Sequence, residues 1–262
     1  MDQVMQLFPA FLLVLCRISS FIVVAPVFST RNFPRTMKIG FAFFISVIVF
    51  LNVGFDNAVP VDGTYILAIL KEVLAGLIIG FVAYLFFTVV QIAGSLMDMQ
   101  MGLGVANIVD PLTGVSAPML GNLKFMLQTM VFLAINGHHY LIGAIMDSYN
   151  WLPLDGHVFQ TIASGSLAEF IARTFAAIFL LALQISAPMV VAMFLIDLGL
   201  ALLSRAAPQY QVFVIGIPIK ILLGLAVLLL LLPGFSVLFQ TIFDHMFGSI
   251  DKLLHIFKDQ SP

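Results

Sequence analysis

Charge is what this sequence has least of. Asp, Glu, Lys and Arg together make up 9% of its 262 residues, against about 25% in a soluble domain. So few charges cannot cover a water-facing surface, and the solvent for much of the chain must be lipid or other apolar protein. Cysteine is nearly absent too. Cys16 stands alone, which excludes an internal disulfide and a cysteine-based metal cluster. No Lys or Arg precedes Arg17. The basic n-region of a cleavable signal peptide is therefore missing, and the first apolar stretch reads as a retained membrane helix. A net charge of −2 offers no basic field for nucleic acid and no acidic tail.

Catalytic signatures are also missing. There is no GxxxxGK[ST], HExxH or GxGxxG. Gly114, Val115 and Ser116, with His138 and His139 further on, faintly suggest an intramembrane serine protease. Such chemistry needs a base within reach of the serine and an oxyanion hole, and no second glycine follows Ser116. Adjacent histidines on a helix are expected to point apart, a poor metal pair. The chain reads as a non-enzyme that calls for no cofactor.

What is present is apolar. Hydrophobic residues make up 61% and the mean hydropathy is +1.13. Six stretches are long enough for helices, roughly 7–28, 37–55, 66–92, 122–147, 170–203 and 212–232. Between Phe213 and Leu232 lie 15 Phe, Leu, Ile and Val residues. At about −0.3 to −0.6 kcal/mol each they outweigh roughly +3 kcal/mol for Lys220. Arg31, Arg35 and Lys38 make the first loop cytoplasmic by the positive-inside rule. Lys71, Arg173, Lys252 and Lys258 would then fall outside, so some of the six helices are not simple spans. After Pro233 and Gly234, apolar residues from Phe239 to Phe257 recur at helical spacing. That predicts an amphipathic helix whose mixed-sign polar face suits docking on protein.

Polar residues inside apolar helices mark the candidate functional positions. Arg17 and Lys220 sit too deep to snorkel. Glu72, Gly76, Gly80 and Tyr84 share one face, roughly continued by Gln91, Ser95 and Asp98. Gly76 and Gly80 form a GxxxG that lets another backbone approach, most simply one within this chain. Asp197 and Arg205 share a face two turns apart, so neither can pair with the other, and each needs a partner elsewhere. With so many polar groups lacking an obvious partner, the isolated chain is expected not to fold stably. Between Gly94 and Gly121 the sequence is apolar but broken by Gly and Pro. Non-helical backbone at membrane depth must be shielded by protein or line a water-filled path.

The run from Asp197 through Arg205, Pro208 and Gln209, then Val212, Phe213, Gly216, Pro218 and Lys220, resembles the FliR/YscT/SpaR family of type III secretion export-gate proteins. So do Arg17 and Pro26, Glu72 with Gly76 and Gly80, Asp98 with Gln100 and Gly102, and Asn136, Gly137, His138 and His139, at collinear spacing along the whole chain. Gln211 and Ile217 depart from the family pattern while keeping the chemical type.

The resemblance implies an all-α integral membrane protein with about six long hydrophobic helices and a C-terminal amphipathic helix. Residues 1–169 would form a FliP-like part and 170–262 a FliQ-like helical hairpin. A plug-like segment at 107–120 would bring Asn107, Ile108, Val109, Asp110, Pro111, Leu112, Thr113, Gly114, Val115 and Ser116 to a conduit. Arg17, Glu72, Gly76, Gly80, Asp98, Asp197, Arg205, Gln209 and Lys220 would be buried polar or subunit-interface positions. The implied role is a structural subunit of the flagellar export gate, in the bacterial inner membrane at the flagellar basal body. FliP and FliQ would be its companions, with FlhB at the cytoplasmic side and unfolded flagellar proteins as the cargo. Alternatives are an injectisome gate subunit and a proton-coupled secondary transporter.

Overall fold

The computed structural model describes residues 2–30, 34–53, 63, 65–103, 118–154, 158–207, 209 and 212–258. Helices dominate it, and no strand occurs among the described residues. In chain order they are α1 (Asp2–Val24), α2 (Arg35–Val53), α3 (Tyr65–Met101), α4 (Met119–Ala134), α5 (Gly137–Trp151), α6 (Val158–Ala163), α7 (Ser166–Ala206), α8 (Val212–Leu231) and α9 (Phe235–Lys258). A short 3-10 turn, Leu232–Gly234, joins the last two. Five helices are long and apolar enough to cross a membrane, and six spans result if α4 and α5 count as one broken span.

Two expected boundaries move. The third apolar stretch does not stop near 92; α3 runs on through Gly94 to Met101. Gly94 is no helix breaker here. A Cβ at this position would overlap the Cα and N of Gly121, so the glycine exists to let two backbones meet. The fourth stretch is not one helix. It breaks at Asn136, which takes a left-handed φ of 57°, a conformation that Asn tolerates better than most residues. Val27 also has a positive φ of 70°, a strained choice for a β-branched residue, in the turn that leaves α1. The prolines end fewer helices than their chemistry suggests: Pro9, Pro188 and Pro218 all lie inside one.

The chain divides into two compact units. The first comprises Met1–Leu85, Ile135–Phe175 and Asp244–Pro262. Here α1 packs on α2 through Phe11, whose ring stands edge-on to Phe43 at 5.9 Å and Phe50 at 5.7 Å. The α1 backbone also presses against Gly76 and Gly80 of α3. The later part of α9 lies against α5: the Tyr140 hydroxyl donates to Asp251 Oδ1 at 2.7 Å, and Trp151 packs on His255. As its amphipathic pattern requires, α9 buries Met246, Ile250, Leu253 and Phe257 against protein and leaves Asp251, Lys252 and His255 exposed.

The second unit comprises Phe86–Ala134 and Ala176–Phe243. Phe87, Phe132 and Phe243 form its aromatic centre, with ring centroids 5.1–6.0 Å apart. Gly224 of α8 meets Met101 at the end of α3, and Gly216 meets Leu200 of α7. Wide apolar areas stay uncovered on α7 and α8, including Phe194, Leu195, Leu222 and Leu230.

Candidate functional site

The first unit is built around one guanidinium. Arg17 rises from the middle of α1 and is fully buried, as is Glu72 of α3. Arg17 Nε donates to Glu72 Oε2 at 2.6 Å, and Nη2 donates to Oε1 at 3.0 Å. This two-pronged pairing is the strongest geometry open to a carboxylate. Nη1 donates to Ser148 Oγ at 3.1 Å, and Nη2 also donates to the Leu152 carbonyl at 2.9 Å. The Tyr149 ring lies under the guanidinium carbon at 4.0 Å. Lys71 lies 4.0 Å from Glu72 and donates to the Leu154 carbonyl.

Leu152 caps the C-terminal end of α5, where unpaired carbonyls concentrate negative potential. Two cations, one from α1 and one from α3, answer it. A buried ion pair needs its remaining hydrogen-bond capacity filled to offset desolvation, and Ser148, Leu152 and Tyr149 do so. With these donors engaged, the cluster ties α1, α3 and α5 together.

Gly76 and Gly80 hold the same contact from the other side. A Cβ on Gly76 would overlap the Arg17 carbonyl and Ser20 Oγ, and one on Gly80 would sit 3.0 Å from the Phe21 carbonyl. The glycine pair thus packs within the chain and brings Glu72 to Arg17. Tyr84 and Ser95, expected on this face, are exposed.

In the second unit Asp98 is a helix cap supplied from another helix. Its carboxylate accepts from the Leu120 N–H at 3.1 and 3.2 Å and from the Gly121 N–H, satisfying donors that the first turn of α4 leaves orphaned. The close approach of Gly94 and Gly121 sets the distance. Asp98→Ala is expected to cost about 1–2 kcal/mol and Asp98→Asn much less, since an amide oxygen still accepts. Thermal unfolding of the two variants in detergent checks this; equal losses would show that charge, not capping, matters.

Lys124 and Gln128 follow on the inner face of α4, four residues apart and both buried. The Lys124 ammonium meets Met97 Sδ and the Phe235 ring, 4.8 Å to its centroid. Neither amide atom of Gln128 has a hydrogen-bond partner among the described residues. Asp197 of α7 and Lys220 of α8 pair at 2.8 and 3.0 Å and are partly exposed. Arg205 and Gln209 are exposed.

Two expectations change. The polar residues do not lack partners: Arg17, Glu72, Asp98, Asp197 and Lys220 are all paired inside the chain, across 22 to 135 positions of sequence. The instability expected of the isolated chain therefore does not follow from these five groups. His138 and His139 do not point apart. Their rings are in contact, 4.2 Å between centroids, in the first turn of α5, which Gly137 opens after the left-handed Asn136. Residues 107–116, and with them Ser116, lie outside the described residues. No group of three or more potential metal ligands occurs among the described residues.

Comparison with known proteins gives a consistent result. The model of a family described as "Bacterial export proteins, family 1" matches residues 8–246. A relative from Bacillus subtilis (strain 168), named flagellar biosynthetic protein FliR, is 39% identical over 97% of this chain and 98% of its own length. Its Escherichia coli (strain K12) namesake is 33% identical over 92% and 89%. Yop proteins translocation protein T of Yersinia pestis is 32% identical over 84% of each chain.

Proposed function

The chain belongs to the family of bacterial export proteins, family 1, and from that premise we propose that it is a structural subunit of a flagellar type III secretion export gate. It would form part of the conduit that passes unfolded flagellar proteins across the bacterial inner membrane, at the basal body. FliP and FliQ are the proposed companions within the gate, with FlhB at the cytoplasmic side. The proposed division is a FliP-like part over 1–169, including a plug-like segment at 107–120, and a FliQ-like hairpin over 170–262.

One observation carries the subunit reading. At about 1.5 Å per residue, the 37 residues of α3 and the 41 of α7 measure roughly 55 and 60 Å. A bilayer offers an apolar layer of about 30 Å. Helix α7 carries exposed Glu169 and Arg173 near its start and exposed Arg205 at its end, and between them it exposes Phe175, Phe179, Phe194 and Leu202. That stretch alone, roughly 40 Å at about 1.5 Å per residue, is longer than the apolar layer an untilted span needs, which supports cover by other protein. The paired, satisfied state of the buried carboxylates Glu72 and Asp98 supports a non-enzymatic role and argues against the proton-coupled transporter, which needs a carboxylate free to cycle its proton. The higher identity and coverage of the flagellar relatives, 39% over 97% against 32% over 84%, favour the flagellar system over an injectisome.

The test is purification of the tagged chain from native membranes in gentle detergent. FliP and FliQ co-purifying in fixed ratio is the expected result; a monodisperse, stable chain without companions would reject the subunit reading. In the same assay Lys220→Ala, which leaves Asp197 unpaired, should lower recovery of the complex. The loss is about 1 kcal/mol if the pair stays exposed and larger if a companion covers it. Unchanged recovery would mean that the pair faces solvent in the assembly.

A further inference from the structure

We infer that the inner face of α4, carrying Lys124 and Gln128, is a contact surface for the backbone of a passing extended polypeptide, closed in this conformation by Phe235. The inference rests on the export reading and adds to it a named surface.

The buried face of α4 sets Lys124 and Gln128 between apolar Leu120 and Phe132. Met119, Leu123, Met126 and Met130 are exposed, while Lys124 and Gln128 are buried. Facing polar groups inward is usual in a membrane bundle, but there they pair with one another or with backbone. These do not. Gln128 has neither its carbonyl nor its amide satisfied. The Lys124 ammonium has a thioether and a ring face as close neighbours. Asp98 attracts it, but that carboxylate is already committed to the first N–H groups of α4. A buried amide without a partner destabilises the state that buries it. The closed arrangement therefore bears a cost that exposure of this face to water or polypeptide would remove.

The chemistry of the face selects its partner. A carboxamide presents one acceptor and two donors, matching the N–H and C=O of any peptide unit, and an ammonium adds donors for carbonyls. Neither reads a side chain, which suits cargo of varied sequence. The cover is also placed to move. Phe235 follows the Leu232–Gly234 break, where Pro233 interrupts the helical ladder and Gly234 has open space around it. As the first residue of α9, Phe235 can swing its ring from Lys124 by a side-chain rotation that leaves Phe243 packed on Phe87 and Phe132.

The experiment uses the full chain in a strain lacking its own copy, in a Cys16→Ala background. Gln128→Cys is oxidised beside an export substrate that carries single cysteines along its length and is stalled by a folded fusion domain. A disulfide between the introduced thiol and the stalled substrate, at many substrate positions, is expected. In parallel, Gln128→Met removes the unpaired amide. It should raise the thermal midpoint of the purified complex while lowering secretion about five- to thirtyfold, because the closed state alone gains. Wild-type secretion by Gln128→Met, or a Gln128→Cys chain that forms no disulfide with the stalled substrate, overturns the inference. Failure of the unsubstituted chain to restore secretion would instead bring down the export reading on which it rests.

Discussion

Arg17→Ala is expected to cost about 3–5 kcal/mol of stability, because it strands the Glu72 carboxylate in a fully buried site. It also removes the donor that closes the C-terminal end of α5. Arg17→Lys should rescue little. A lysine ammonium is a point charge and cannot reproduce the fork that reaches Glu72, Ser148 and Leu152 together. Arg17→Met with Glu72→Leu should recover much of the loss, since replacing a whole buried pair by apolar residues is commonly near neutral. Thermal midpoints of the four proteins in the same detergent measure the pattern. A double variant no better than Arg17→Ala would show that the hydrogen bonds to α5, rather than the stranded charge, dominate.

Gly94→Ala is expected to be nearly as damaging, at about 3 kcal/mol, for a single methyl group. The added carbon would meet backbone atoms of Gly121, which have no rotamer to move aside, so α3 and α4 must separate. Separation would also draw Asp98 from the first turn of α4. Gly143→Ala and Gly199→Ala are the controls. Both lie inside helices with open space where the methyl would go, and there alanine should gain about 0.5–1 kcal/mol. If all three variants behave alike, the contact between Gly94 and Gly121 is looser than drawn.

Why some of this was legible and some was not follows from range. The helices could be read because hydropathy is local: twenty apolar residues announce themselves. The amphipathic α9 was legible for the same reason, since the period from Phe239 to Phe257 lies within one element. Arg17 and Glu72 each stood out as misplaced charges, yet nothing in the sequence said that they meet across 55 positions. Ser148, Tyr149 and the Leu152 carbonyl carried no signal, being ordinary residues whose roles are assigned by packing. Gln128 could have been flagged by the rule applied to Arg17 and Lys220, a polar group in the middle of an apolar stretch. Gly94 misled because a glycine that breaks a helix and one that admits a neighbour look identical until the neighbour is known. The Asn136 break carried a local signal, the polar run Asn136, Gly137, His138 and His139, diluted by the apolar residues on either side.

The interleaving of the two units has a consequence for how a ribosome delivers this chain. The first unit takes its last piece, from Asp244 onward, only after residues 86–243 have been made. At about 5–20 residues per second, the interval between Leu85 and Asp244 is roughly 10–30 s. Throughout it Trp151, once synthesised, waits for His255, and Tyr140 for Asp251. The nascent chain must spend that time in the membrane with an unfinished unit, within reach of proteases and of wrong neighbours. A stop codon near position 240 would make the wait permanent, so quality control should treat even a short C-terminal truncation as a failure of the N-terminal helices.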